Sequence, residues 1–320
     1  MAPSTYTGPS EISGTIAITG ATGFIGRLVA QRLASSGWKV RALVRPASLR
    51  KRPDTAGVEW ITGDMADADS LERLTAGVDA IIHCAGAVRG ATAKDFDDVN
   101  VDGVARLATI AAAHSPQPRF LLVSSLAARE PRLSFYAASK HKGEKALASL
   151  AGTMFWGVFR PAAVYGPGDR EMLPLFQWMF RGVAPVIGSA DNRVSLLYVD
   201  DLVEAMHTWL QHNSTQPRRC YELHDGRTNG YSWQDIITVA ERLRGKAIIR
   251  AHIPVWGVRM VAQINLMAAR VLGASPMLTP GKVRELVHAD WVADNSRLYR
   301  DTAWIPRVLL EEGMRQTMFK

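Results

Sequence analysis

The stretch Thr15–Gly26 reads TIAITGATGFIG. Its first five residues are apolar or β-branched and suit a strand, which ends at Gly20. Glycine recurs at Gly20, Gly23 and Gly26, with Thr22, Phe24 and Ile25 between them, and an apolar helical pattern starts at Phe24. Glycines at this spacing let a backbone turn sharply and lie against a pyrophosphate. The N–H groups opening the next helix then face its charge. A glycine triplet alone is common in turns; the strand before it and the helix after it give this one its meaning. The expectation is a dinucleotide site on the first strand–helix turn.

Outward from that turn, strand and helix patterns alternate. Strands are expected over Thr15–Thr19, Lys39–Val44, Val58–Thr62, Ala80–Cys84, Phe120–Ser124 and Met154–Arg160. Helices are expected over Phe24–Ser36, near Ser70–Leu74, and over Asp95–His114 and Tyr136–Leu150. Strands joined by helix-length crossovers build a parallel sheet, and the unbroken apolar runs AIIHC and FLLVS suit strands covered on both faces. The fold class is therefore α/β, a Rossmann-type doubly wound parallel sheet with ligands at the carboxyl ends of its strands. After Arg160 the pattern changes: Pro161, Pro167 and Pro174 fall close together with Gly166 and Gly168. Shorter elements follow: a helix near Met172–Phe180, a strand near Val194–Tyr198, a helix near Asp200–Gln211 and a short strand around Tyr221–Leu223. A helix at Ser232–Leu243 has Ser232 and Asp235 spaced as a capping box. The chain thus divides into a loose polar arm (1–13), a dinucleotide-binding domain (14–165) and a smaller C-terminal substrate-binding lobe (166–320). The last boundary is one across which strands can return to the sheet.

Composition bounds the partners. Among 320 residues, 38 are Lys or Arg and 30 are Asp or Glu, a net charge of +8. That balance favours a phosphorylated cofactor, an acidic substrate or an anionic membrane surface. No long basic run with interleaved aromatics occurs, so nucleic acid is not expected. The two cysteines, Cys84 and Cys220, are too far apart in sequence to argue for a disulfide framework or a metal site, and no metal is expected. The N-terminus lacks a basic region followed by an apolar core, and no run of about 18 apolar residues exists, so neither a secretory signal nor a spanning helix is expected. A cytoplasmic protein with a small-molecule substrate is the expectation. The segment Pro254–Gly273 is apolar but interrupted by Arg259, Gln263, Asn265 and Arg270. Such an amphipathic helix, or helical pair, can pack on its own core, close over an apolar substrate or make a peripheral contact with membrane.

The chemistry is suggested by Tyr136-Ala-Ala-Ser-Lys140. Residues four apart share a helix face. A Lys ammonium beside a phenol, which titrates at about 10 unperturbed, favours the phenolate and brings it toward working pH. Such a tyrosine can protonate a carbonyl oxygen as hydride arrives, or deprotonate an alcohol as hydride leaves. The pair Ser124-Ser125 ends the fifth strand, where a hydroxyl can bond a substrate oxygen and stabilise developing charge.

Five motifs occur in order: Gly20-Ala-Thr-Gly23-Phe-Ile-Gly26, Ser124-Ser125, Tyr136-x-x-x-Lys140, Arg160-Pro-Ala-Ala-Val-Tyr-Gly-Pro-Gly168 and Tyr198-Val-Asp-Asp201. As a set they resemble the extended short-chain dehydrogenase/reductase family, which includes NAD(P)-dependent epimerases, dehydratases and hydroxysteroid-type dehydrogenases. The resemblance spans about residues 14 to 315 and is densest before residue 205. It implies that Tyr136 is the general acid/base and that Lys140 lowers its pKa and holds the nicotinamide ribose. It also implies Ser125 as the substrate-polarising hydroxyl, with Ser124 as the alternative. Asp64 and Met65 would meet the adenine. Ala85, Gly86 and Ala87 would line the cofactor, with Asn100 near the site. Pro161 to Val164 would pack on the nicotinamide. A homodimer through the helices Asp95–His114 and Tyr136–Leu150 is also implied.

The end of the second strand bears on cofactor choice. A carboxylate there would bind ribose hydroxyls, as suits NAD; here Arg45 stands instead, followed by Arg50, Lys51 and Arg52. A guanidinium pairs with a 2′-phosphate, so NADP(H) is expected, with NAD(H) as the alternative, Arg45 as the main contact and Lys51 or Arg50 as the second. Departures from the family pattern narrow the branch. Leu126-Ala127-Ala128 follow the serines where the sugar-nucleotide 4,6-dehydratases carry an acidic pair. Arg193-Val-Ser-Leu-Leu replaces an Arg-Asp-Phe-like run of sugar-nucleotide enzymes, and the link from Ser125 to Tyr136 is short. Seven of the nine tryptophans lie past residue 150. The look is nearest to hydroxysteroid-type or dihydroflavonol-reductase-like oxidoreductases acting on an apolar ketone or alcohol. Two other readings stay open: an epimerase that retains its cofactor, and a non-catalytic accessory subunit like the complex I member of the family.

Overall fold

A computed structural model describes residues 14–212 and 218–319. The arm expected over 1–13 lies outside the described residues. The first half of the chain runs β1 (Thr15–Thr19), α1 (Phe24–Ser35), β2 (Lys39–Val44), β3 (Val58–Thr62), α2 (Ala68–Thr75), β4 (Ala80–His83), α3 (Ala93–Asp97), α4 (Gly103–Ala113), β5 (Arg119–Val123), α5 (Phe135–Leu150) and β6 (Trp156–Pro161). The second half adds β7 (Ala163–Tyr165), α6 (Leu173–Phe180), β8 (Val183–Ile187), β9 (Arg193–Val194), β10 (Leu196–Tyr198), α7 (Val199–Gln211), β11 (Arg218–Leu223), α8 (Trp233–Arg244), β12 (Ile249–Ile253), α9 (Val255–Leu272), α10 (Pro280–Val287), β13 (Asp290–Trp291), α11 (Ser296–Thr302) and α12 (Leu310–Phe319).

Seven strands form one parallel sheet in the order β11-β6-β5-β4-β1-β2-β3. The chain moves outward from β1 in one direction through β2 and β3, then returns to β4 and moves outward in the other. The carboxyl ends of β1 and β4 therefore flank the switch point, where open α/β sheets bind ligands. The strands are apolar on both sides because helices cover both faces. Val29 and Leu33 of α1 pack with Leu202, Met206 and Trp209 of α7 on one face. Leu71 of α2, Leu107 of α4 and Leu147 of α5 fill the other. A separate apolar cluster joins Tyr165, Phe176, Tyr198, Ile236, Leu310 and Met314 beyond the sheet.

The differences from expectation are local. The strand expected at Val194–Tyr198 is split at Ser195, whose N–H donates to the Trp291 carbonyl at 3.0 Å and whose Oγ accepts from Ala293 N at 3.1 Å. β9 consequently pairs with β13 and β10 with β7. The helix expected from Asp95 begins at Ala93 and widens into a π turn over Asp98–Asp102, which buries Asn100. The strand expected at Tyr221–Leu223 begins at Arg218 and is the edge strand of the main sheet.

Candidate active site

α5 starts where it does because the Ser134 hydroxyl accepts from Ala137 N at 2.9 Å and caps its first turn. Tyr136 thereby falls in that first turn and Lys140 one turn later on the same face. The two serines at the end of β5 point to different partners. Ser125 caps the short turn Leu126–Arg129 by accepting from Ala127 N at 3.2 Å, and its hydroxyl neighbours that of Tyr136. Ser124 is buried and its hydroxyl donates to Glu144 Oε1 at 2.5 Å. Glu144 in turn receives Arg160 at 2.9 and 2.5 Å, so Ser124 belongs to a buried ion pair beneath the site.

Tyr136 departs from the sequence expectation in its protonation. Burial pushes its phenol up to about 12, the neighbouring Ser125 hydroxyl opposes that, and Glu285 adds a smaller upward push. The expected lowering by Lys140 is not found. The Lys140 ammonium is turned to the end of β5, where Nζ donates to the Val123 carbonyl at 3.1 Å, and it lies 2.9 Å from where a Cβ on Gly86 would sit. Burial of Lys140 pushes it down to about 8, with Cys84 and Glu144 opposing. A lysine held near neutrality in this way has lost solvation that a ligand hydroxyl can replace.

The residues expected to hold a dinucleotide line the carboxyl edge. Gly20 adopts φ +72°, and a Cβ on it would lie 2.6 Å from the Ala85 nitrogen. A Cβ on Gly26 would lie 2.3 Å from the Gly20 carbonyl oxygen, so the turn and the helix touch backbone to backbone. Gly23 opens α1 with no side-chain cap, and the first turn, which includes Phe24 and Ile25, carries no acid. These are the features a pyrophosphate needs, with helix N–H groups presented to an anion and nothing competing. Thr22 lies within the same turn. Ala85 N donates to Thr19 Oγ1 at 3.3 Å, and Thr19 also bonds His83 at 2.8 Å across the switch point. Ala87 exchanges hydrogen bonds with the Asn100 amide, 2.9 Å each way, and Asn100 Nδ2 also reaches Ser139 Oγ at 2.8 Å. Asn100 thus ties the loop after β4 to the helix of Tyr136. Asp64 accepts from Ala66 N at 2.9 Å, which shapes the loop after β3, and the Met65 carbonyl is held by Arg106 at 2.5 Å. Arg45, Arg50 and Lys51 are exposed beyond β2, and among the described residues none is in an ion pair. Pro161 ends β6 and Val164 lies in β7, the two separated by Ala162, whose N–H donates to the Leu223 carbonyl at 2.9 Å.

A family model for the NAD dependent epimerase/dehydratase family matches residues 16–223. The chain belongs to that family. Within it, a ceramide reductase from Caulobacter vibrioides is 34% identical over 319 residues, covering 93% of this chain and 98% of its own. The mitochondrial NADH dehydrogenase (ubiquinone) 1 alpha subcomplex subunit 9 of Arabidopsis thaliana is 25% identical, over 94% of this chain and 77% of its own. The crystal structure of UDP-glucuronic acid 4-epimerase from Bacillus cereus with UDP-glucuronic acid and NAD superposes with a TM-score of 0.73 at 19% identity, over 95% of this chain and 97% of that one. The likeness is of fold. As a member of this family the protein is an NAD(P)-dependent enzyme of the extended short-chain dehydrogenase type.

Sequence reasoning missed the second layer of the site. Glu144 follows Lys140 by four residues, so its place on the same face of α5 was readable. Its partner Arg160 sits inside the quoted motif without its role showing. Glu285 left no local signal. It arrives from α10, 151 residues on, to accept the Ser134 hydroxyl, and its backbone carbonyl accepts from the Trp291 indole at 2.8 Å. Trp291 then packs against a small apolar cluster of Leu126, Ala162 and Ala293, beside Ser125.

Proposed function

We propose that this protein is an NADP(H)-dependent oxidoreductase that interconverts a ketone and a secondary alcohol on a small apolar substrate. The nearness of the Tyr136 phenol to the Ser125 hydroxyl at the carboxyl edge of the sheet carries the reading. A carbonyl oxygen that takes a bond from each hydroxyl is polarised by two donors. The reduced nicotinamide, when bound, supplies hydride to the carbonyl carbon. Tyr136 then releases its phenolic proton to the oxygen, and the product is a neutral alcohol. A phenol held at about 12 remains a proton donor throughout the physiological range. Lys140, whose Nζ donates to the Val123 carbonyl, would bond a ribose hydroxyl of the bound cofactor.

The phosphate preference rests on Arg45, exposed at the end of β2 with Arg50 and Lys51 on the next turn and no carboxylate at that strand end. The substrate class is supported by the apolar cluster beside Ser125 and by the Caulobacter vibrioides relative, a ceramide reductase. The test is NADPH oxidation with a panel of alkyl ketones. Tyr136→Phe should lower kcat by about 10²–10⁴ while NADPH still binds. Full turnover in that variant would remove Tyr136 from the chemistry. Purified protein that carries one nicotinamide per chain and shows no net turnover would replace this reading by an epimerase.

A further inference from the structure

α9 has two apolar faces, and only one of them is packed. The inner face buries Val258, Ala262 and Ala269, with Val283 of α10 and Ile187 of β8 against it. The outer face carries Trp256, Met260, Ile264, Met267 and Val271, at steps of four, four, three and four residues. All five are exposed, Trp256 at 68% and Val271 at 85%. A helix on the surface of a water-soluble protein places polar residues there. Here Arg259, Gln263 and Arg270 instead follow helical spacing along one edge of the stripe.

Charge decides what covers this face. Between Gly245 and Arg284 the chain has no Asp or Glu. Lys246, Arg250, Arg259 and Arg270 in this segment are in no ion pair among the described residues. Arg250 stands between the exposed Ile249 and Ile253 on β12, which leads into α9. A second copy of the chain is a poor match. A twofold contact sets a patch against itself, so cations would meet cations with no carboxylate to neutralise them. No helix among the described residues is long and apolar enough to cross a membrane, so α9 is not a spanning element.

We propose that the outer face of α9 lies in the surface of an anionic lipid bilayer, with the helix axis in the membrane plane. The apolar stripe enters the acyl boundary while Arg250, Arg259 and Arg270 meet lipid phosphates. The inner face of the docked helix is linked to the site through α10. α9 packs on α10, whose Glu285 accepts the hydroxyl of Ser134, the cap of the Tyr136 helix, and whose Arg284 Nε donates to the Leu133 carbonyl at 2.7 Å. The docking itself is independent of the hydride reading, and its test needs no turnover.

The full-length protein is sedimented with vesicles of phosphatidylglycerol and phosphatidylcholine in equal parts, and with phosphatidylcholine alone. Binding is expected to be at least about tenfold tighter to the anionic vesicles and to weaken as salt is added. Met260→Ser/Ile264→Ser/Met267→Ser should lose binding to both. Arg250→Ala/Arg259→Ala/Arg270→Ala should lose the preference for anionic lipid. Both variants should keep the parent melting temperature and NADPH affinity, since every altered side chain is exposed. No binding, equal binding to the two vesicle types, or undiminished binding by the serine variant would overturn the proposal. So would a dimer in solution that the serine variant turns into monomers, which would give the stripe to a second copy.

Discussion

At Lys140 burial and charge oppose each other, and the balance sets how the enzyme should respond to pH. Its ammonium is enclosed with the Val123 carbonyl as its bonded partner and is pushed down to about 8. Tyr136, held at about 12, keeps its proton well above that point. The alkaline limit on ketone reduction should therefore come from Lys140: kcat/KM should be level at neutral pH and fall as pH rises through about 8. Lys140→Arg keeps its charge across this range and should move the fall to higher pH, with a lower plateau because the wider guanidinium fits poorly. An unchanged profile in that variant would assign the limb to another group. The same shift has a stability consequence. The unfolded lysine, ordinarily at 10.5, binds more protons than the folded one above about 8, so stability should rise with pH in that window. At Arg45 the question is the 2′-phosphate. A charged hydrogen bond is worth roughly 1.5–3 kcal/mol, so Arg45→Asp should shift the NADPH-to-NADH ratio of kcat/KM by about ten- to a hundredfold toward NADH. An unmoved ratio would place the phosphate contact elsewhere.

At the scale of the element, the first turn separates folding from binding. A Cβ on Gly26 would meet the Gly20 carbonyl at 2.3 Å, whereas one on Gly23 meets that oxygen at 3.2 Å and nothing else nearby. Gly26→Ala should push α1 off the sheet and cost about 1–3 kcal/mol. Gly23→Ala should leave the melting temperature nearly unchanged and weaken NADPH binding, because the methyl is added where α1 opens without a cap. Thermal melts and an NADPH titration of the two variants check this; equal melting temperatures would refute it. This turn was legible because its determinants lie within twelve consecutive residues, Thr15–Gly26. The Tyr136–Lys140 pair was legible for the same reason, since both sit on one helical turn. The choice between Ser124 and Ser125 was not. It depends on Glu144 and Arg160 claiming the first hydroxyl, and Arg160 comes from a different strand. Glu285 was beyond reach, brought in by a contact that only the finished fold makes. For α9 the periodicity announced an amphipathic helix, but its apolar residues run nearly all the way round. Only packing reveals which of them stay outside.

At the scale of the whole molecule, the sheet and its roof cross the boundary read near residue 165. Residues 14–165 supply six of the seven strands, but β11 covers the open edge of β6 along Trp156–Pro161. One face of the sheet is roofed by α1 and α7, with Leu298 of α11 and Trp304 completing it. Arg119 at the start of β5 reaches into α7, donating to the Leu210 and Trp209 carbonyls at 2.8 and 2.9 Å and stacking over the Trp209 ring at 4.3 Å. Removing everything after Tyr165 would thus leave α1 alone on that face, turn β6 into an open edge strand and leave the Arg119 guanidinium without its acceptors. An uncovered apolar sheet face beside a free strand edge favours association over folding. We expect a fragment of residues 1–165 to aggregate and to bind no NADPH, although every residue expected to touch the dinucleotide is in it. The intact chain should unfold in one cooperative transition in urea, followed by circular dichroism and by tryptophan fluorescence with coincident midpoints. A monomeric fragment that melts cooperatively and binds NADPH would show instead that the dinucleotide half is a self-sufficient unit.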